Sequence, residues 1–156
     1  MEDSMNTLIQ LDVPYLPVQE YALRHCLTES EVNQMIEVKQ LPMKHAFRGD
    51  KKRYINMVTL SRMRLFHFYR NQPNVLKDLA MNINVQIDAP YIPTDELARR
   101  WGASENSIRN MIRDGKLPAK KRNSVKGKHY INMVTFYQHA VEDSERPENH
   151  LFFDTF

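Results

Sequence analysis

The chain has 156 residues, 42% of them hydrophobic, and 22 Lys plus Arg against 19 Asp plus Glu leave a net charge of +3, a mild basicity that permits a nucleic-acid partner without demanding one. A single cysteine, Cys26, excludes an internal disulfide, and no Cys/His group has the spacing of a zinc site, which predicts a protein of the reducing cytoplasm with no metal and no cofactor. The apolar runs fall short of the ~20 residues of a membrane span, and the acidic start MEDSMN is unlike a secretory leader, so no membrane partner is expected.

Every predicted element comes twice. The string YINMVT stands at 54–59 and again, letter for letter, at 130–135, and adding 76 to each number extends the match back without a gap. Asp12, Pro14, Tyr15 and Pro17 become Asp88, Pro90, Tyr91 and Pro93; Leu41-Pro42 and Lys44 become Leu117-Pro118 and Lys120. The chain is a tandem duplication of a unit of about 55 residues, too small to hold a comfortable core alone, so the copies are expected to lean on each other or on added helices. Copy one is assigned to 1–72, a connection to 73–84 and copy two to 85–156.

In copy one Val18 stands at the cap position of a short first helix, a weaker start than Thr94 of copy two, and TESE at 28–31 forms a capping box that opens a second helix. The hairpin KHAFRGDKKRYIN follows, with Gly49-Asp50 in its turn, and a third, aromatic-rich helix runs from Met57 through LSRMRLFHFYR. Asn71-Gln72-Pro73 breaks that helix, and VLKDLA adds one or two helical turns to the connection. In copy two Thr94 is placed as the N-cap of a helix that ends at Gly102, and Ser104 caps the next, whose Ile108, Met111 and Ile112 form an apolar stripe before Gly115. Pro118 excludes further helix, RNSVKG marks a hairpin tip, and Asn132 caps the third helix, MVTFYQHAVEDS. Helix, tight turn, helix, hairpin, helix predicts two tandem winged helix-turn-helix domains, mostly α with small β-hairpins, in the α+β class.

With the scaffold repeated, the candidate site lies where the copies differ. Away from the apolar stripe of copy two stand Asn106, Arg109, Asn110 and Arg113, followed by Lys116. Arg on guanine and Asn on adenine are the bidentate pairings that the major groove rewards, each worth ~1–3 kcal/mol of discrimination. From Arg99 to Lys128 there are 10 basic and 2 acidic residues, a local +8, much of it on the hairpin as Lys120, Lys121, Arg122, Lys126 and Lys128, where it can grip phosphates or enter the minor groove. The bland alternative is a solvated helix face; the basic hairpin immediately downstream argues against it. The matching window of copy one, Leu23 to Lys52, has 6 basic and 4 acidic residues, +2. Its helix offers Ser30, Asn33 and Gln34 beside Glu37, which would repel phosphate or accept from cytosine N4, and its hairpin keeps Arg48, Lys51, Lys52 and Arg53. Copy one is expected to bind DNA more weakly and to another sequence, or to serve as a protein-interaction module.

IPTDELARRWGASENSIRNMIRDGKLPAKK resembles the helix-turn-helix of the phage Cox proteins and the wider excisionase group with a MerR-like winged-helix fold. The resemblance covers most of copy two and, more loosely, copy one. It implies a small regulator of a phage or mobile element that binds double-stranded DNA at arrays of short sites, represses promoters and assists an integrase in excision, in the bacterial cytoplasm on the nucleoid. By position it implies that Asn106, Arg109, Asn110 and Arg113 read the major groove while Lys121, Arg122 and Lys126 act from the wing. Members of the group carry one such unit and oligomerise on DNA, whereas this chain has two in series.

The connection of about 14 residues reaches at most ~45 Å, enough for half-sites one helical turn apart, and copies running in the same direction predict direct-repeat sites. Leu151, Phe152, Phe153 and Phe156 of the tail RPENHLFFDTF either fold back on copy two or dock on a neighbouring molecule, and the third helix of copy one is a second candidate for self-association. The rival class is a protein-binding adaptor such as an antirepressor. No enzyme is expected, because no nucleophile-base pair, paired carboxylates or phosphate loop stands out and no catalytic residue can be named.

Overall fold

A computed structural model describes residues 7–44, 52–74, 83–120 and 129–145. Among them the chain is mixed helix and sheet, with six helices and eight short strands. Copy one supplies β1 (Thr7–Gln10), β2 (Tyr15–Pro17), α1 (Val18–Arg24), α2 (Glu29–Glu37), β3 (Met43–Lys44), β4 (Tyr54–Asn56) and α3 (Met57–Phe68). Copy two repeats the order as β5 (Ile83–Gln86), β6 (Tyr91–Pro93), α4 (Thr94–Trp101), α5 (Glu105–Arg113), β7 (Ala119–Lys120), β8 (Tyr130–Asn132) and α6 (Met133–Ser144). No helix among the described residues is long and apolar enough to cross a membrane. The connection's VLKDLA, both hairpin tips and the tail beyond Glu145 lie outside the described residues.

Local signals set most helix ends. Asn56 and Asn132 accept from the backbone N–H of Thr59 (3.0 Å) and Thr135 (3.1 Å), giving α3 and α6 the same cap. Thr28 and Glu31 close the expected capping box on α2, and Ser104 caps α5 by accepting from Ser107. Gly102 (φ +62°) and Gly115 (φ +73°) take the left-handed turns after α4 and α5, and Cys26 (φ +55°) and Lys39 (φ +60°) hold the same conformation at the matching places in copy one. Thr94 is not a cap. Pro93, the last residue of β6, holds the N-cap position of α4 with no side-chain bond, and the Thr94 hydroxyl instead donates to Glu105 at 3.0 Å. The chain enters α4 directly from a strand, so no turn residue is needed there.

Each hairpin gains a third strand that the sequence pattern does not announce. β2 and β3 flank β4 antiparallel, and β6 and β7 flank β8, with the register Leu16↔Ile55 and Ile92↔Ile131. By strand alternation these four aliphatic residues share the inner faces, where all are buried. Tyr15, Pro17, Tyr54 and Asn56 lie on the outer face in copy one, and Tyr91, Pro93, Tyr130 and Asn132 in copy two.

The copies share one hydrophobic core. β1 and β5 pair parallel with every residue beside its own repeat, Thr7 against Ile83 through Gln10 against Gln86, and the Gln10 and Gln86 side chains bond at 2.8 Å. The remaining contact is one-sided. The outer face of the copy-one sheet is covered by copy two: Trp101 donates from Nε1 to the Tyr15 carbonyl (2.8 Å) and lies 5.3 Å from the Tyr54 ring, while Phe136 lies 5.6 Å from the Tyr15 ring. Asn56 Nδ2 donates to the Ala140 carbonyl (3.0 Å), Arg62 to the Ser144 hydroxyl (2.8 Å), the Tyr15 hydroxyl to Asp143, and the Tyr137 hydroxyl to the Leu11 carbonyl (2.7 Å). The Tyr137 hydroxyl is pushed well above its ordinary range by burial and by the neighbouring Asp12 and Asp88. Tyr15, Tyr54 and Val58 are therefore 0%, 1% and 1% exposed, whereas their repeats Tyr91, Tyr130 and Val134 are 42%, 38% and 41% exposed. Such a contact joins two different surfaces of one repeated unit, a heterologous interface. It also fixes the spacing of the copies by packing, so the reach of the connection does not set it.

Arginines close the seam. Arg24 reaches the Arg100 carbonyl (2.6 Å) while paired with Asp12, and Arg100 reaches the Asp12 carbonyl (2.7 Å) while paired with Asp88 (2.7 Å) and Glu96 (2.9 Å). Arg99 and Arg100 together hold the Glu96 carboxyl down to about 2. Burial opposes the charge of Arg100, but Asp88 and Glu96 outweigh it and raise its pKa.

Candidate nucleic-acid interface

α5 is built to present one polar face. Ile108 and Met111 are buried under it, and Asn106, Arg109, Asn110 and Arg113, at i, i+3, i+4 and i+7, share the opposite side. Asn106, Arg109 and Arg113 are exposed and Asn110 is half-buried. Glu105, a residue the sequence reading passed over, orients this face: it accepts from Thr94 on α4 and from Arg109 Nη2 at 2.7 Å. The Glu–Arg spacing of four that makes this pair was visible in the sequence. Arg113 sits 3.4 Å from Asp114, with its side chain 72% exposed.

Lys116 is half-buried in the turn between α5 and β7. Lys120 ends β7 with its ammonium 5.4 Å from the centre of the Tyr91 ring, a cation–π distance. The hairpin strands thus carry the chain from the foot of α5 towards the basic run. Lys121, Arg122, Lys126 and Lys128 themselves lie outside the described residues, as do Arg48 and Lys51 of copy one.

The matching face in copy one is partly closed on itself. Ser30 and Gln34 are exposed on α2 and Asn33 is half-buried, but Arg53, at the base of the hairpin, donates to Asn33 (3.4 Å) and Glu37 (3.3 Å). Together with Pro17, Val18, Gln19, Glu29 and Lys52 they line an open hollow of about 540 Å³ between helix and hairpin. In copy two Arg113 stands where Glu37 does and His129 where Arg53 does, so that particular ion pair has no counterpart there. The Glu37–Arg53 contact was not foreseen; it joins residues 16 apart across two elements, and neither spacing nor charge count marks it.

Compared with protein-family models, curated proteins and solved structures, the chain matches none.

Proposed function

We propose that the protein is a sequence-specific double-stranded DNA-binding regulator built from two winged helix-turn-helix units, Cox-like in its helix-turn-helix, acting as a repressor or excision factor of a phage or mobile element. The observation that carries this reading is the polar face of α5. Asn106, Arg109, Asn110 and Arg113 stand together opposite a buried stripe, on a helix whose tight turn is set by Gly102 and whose C-terminus leads into a hairpin continuing with the basic run 120–128. Arg and Asn on one helix face suit base edges, and lysines beyond them suit phosphates. Copy two is the principal reader, and copy one contributes Ser30, Asn33, Gln34, Lys52 and Arg53 more weakly because its helix face carries Glu37 where copy two has Arg113 and its window holds +2 against +8.

The test is a mobility-shift titration across salt. Counterion release makes affinity fall steeply as salt rises. Arg109→Ala is expected to cost about 1–3 kcal/mol and relax base preference at one position, while Lys120→Ala weakens all sequences alike and lowers the salt slope by about one. No binding to any duplex at low salt would refute the proposal. A second reading, a protein-binding adaptor such as an antirepressor, is favoured by the self-engaged Asn33–Arg53–Glu37 face of copy one; that face would then hold a regulator while copy two holds DNA. Direct-repeat sites remain the expected arrangement, with their spacing fixed by the shared core. An inverted repeat occupied by one chain would contradict it.

A further inference from the structure

We infer that the open outer face of the copy-two sheet is the docking site of the chain's own C-terminal residues 151–156. Two faces of the same composition exist in the molecule, and among the described residues only one is covered. Tyr91, Tyr130 and Val134 leave an apolar patch at the start of α6 where their repeats Tyr15, Tyr54 and Val58 are sealed. What seals the copy-one face is aromatic, the rings of Trp101 and Phe136 set 5.3 and 5.6 Å from the tyrosines. A second molecule's copy one would bring the surface equivalent to Trp101, but there the residue is His25, already stacked on Tyr21 at 4.2 Å. The tail supplies the missing chemistry as Phe152, Phe153 and Phe156.

The lengths agree. α6 is twelve residues, about 18 Å, and its two ends are the patch and Glu145. Phe152 to Phe156 stand seven to eleven residues beyond Glu145, a span of up to about 25–40 Å, so the tail can return along the helix. Val134 and Gln138 lie exposed at i and i+4 on the side of α6 away from the buried Phe136 and Ala140, and mark the path. Charge agrees as well, since Asp154 would arrive beside Lys120, whose ammonium already lies against Tyr91.

The experiment is tyrosine nitration by tetranitromethane, read residue by residue by mass spectrometry, on the full chain and on the full-length variant Phe152→Ser/Phe153→Ser/Phe156→Ser. Tyr91 and Tyr130 are expected to be protected in the native chain at all protein concentrations and to react several-fold faster in the variant, with Tyr15 and Tyr54 slow in both as the check that the core is folded. Equal reactivity of Tyr91 and Tyr130 in the two proteins overturns the inference. So does protection that disappears on dilution, which would assign the patch to a second molecule. Neither outcome depends on DNA binding.

Discussion

Trp101→Ala removes the ring that joins the two copies, and its cost can be worked from its surroundings. Trp101 is 3% exposed, stacks near Tyr54 and Phe136, and donates from Nε1 to the Tyr15 carbonyl at 2.8 Å. Truncating a buried Trp costs about 3–5 kcal/mol through lost transfer energy and the cavity left behind. The hydrogen bond adds about 1 kcal/mol if the Tyr15 carbonyl finds no replacement partner. For a chain of this size each kcal/mol lowers Tm by about 2–4 °C, so a loss of about 3–6 kcal/mol gives an expected fall of about 6–24 °C. Thermal and urea unfolding followed by circular dichroism measures it, since the variant has no tryptophan left to report. The repeat provides its own control: His25 holds the same position in copy one and is exposed, so His25→Ala should cost under about 1 kcal/mol. A loss below about 1 kcal/mol for Trp101→Ala would refute the claim that one-sided aromatic packing holds the copies together.

Three further outcomes follow from the same geometry. Lys39 keeps a left-handed φ of +60° where copy two has Gly115, so Lys39→Gly should raise stability by up to about 1 kcal/mol in urea unfolding, the relief of about 1–2 kcal/mol of strain outweighing the added freedom of the unfolded chain. Glu37→Gln should free Arg53 and raise affinity for DNA at low salt in the mobility-shift assay; unchanged affinity would show that copy one takes no part in binding. Glu96 is held at about 2 against an ordinary 4.5 by hydrogen bonds from Arg99 and then Arg100, so its contribution is complete above pH 4.5 and is lost as pH falls through 2. In acid titrations followed by circular dichroism, Glu96→Gln should lessen the loss of stability between those values.

The sequence by itself determined what acts over a few residues. The repeat of 76 is a match of letters, and the capping box at Thr28–Glu31, the caps at Ser104 and Asn132, the left-handed turns at Gly102 and Gly115, and the polar face of α5 were legible because each depends on side chains within one or two helical turns of one another. The cap assigned to Thr94 failed because a strand, not a turn, precedes α4, and β2 and β6 become strands only when β4 and β8 are there to pair with them. Only the tertiary structure decided the pairing of β1 with β5, the self-engagement of Arg53 with Glu37 and Asn33, and the fate of YINMVT. The same six letters bury Tyr54 and Val58 in one copy and leave Tyr130 and Val134 open in the other. Identical strings carry identical local preferences; what separates them is a tryptophan 47 residues further along the chain from Tyr54, with nothing equivalent set against Tyr130 among the described residues. Burial of a sheet face is settled by what arrives to cover it, and that is a property of the whole chain.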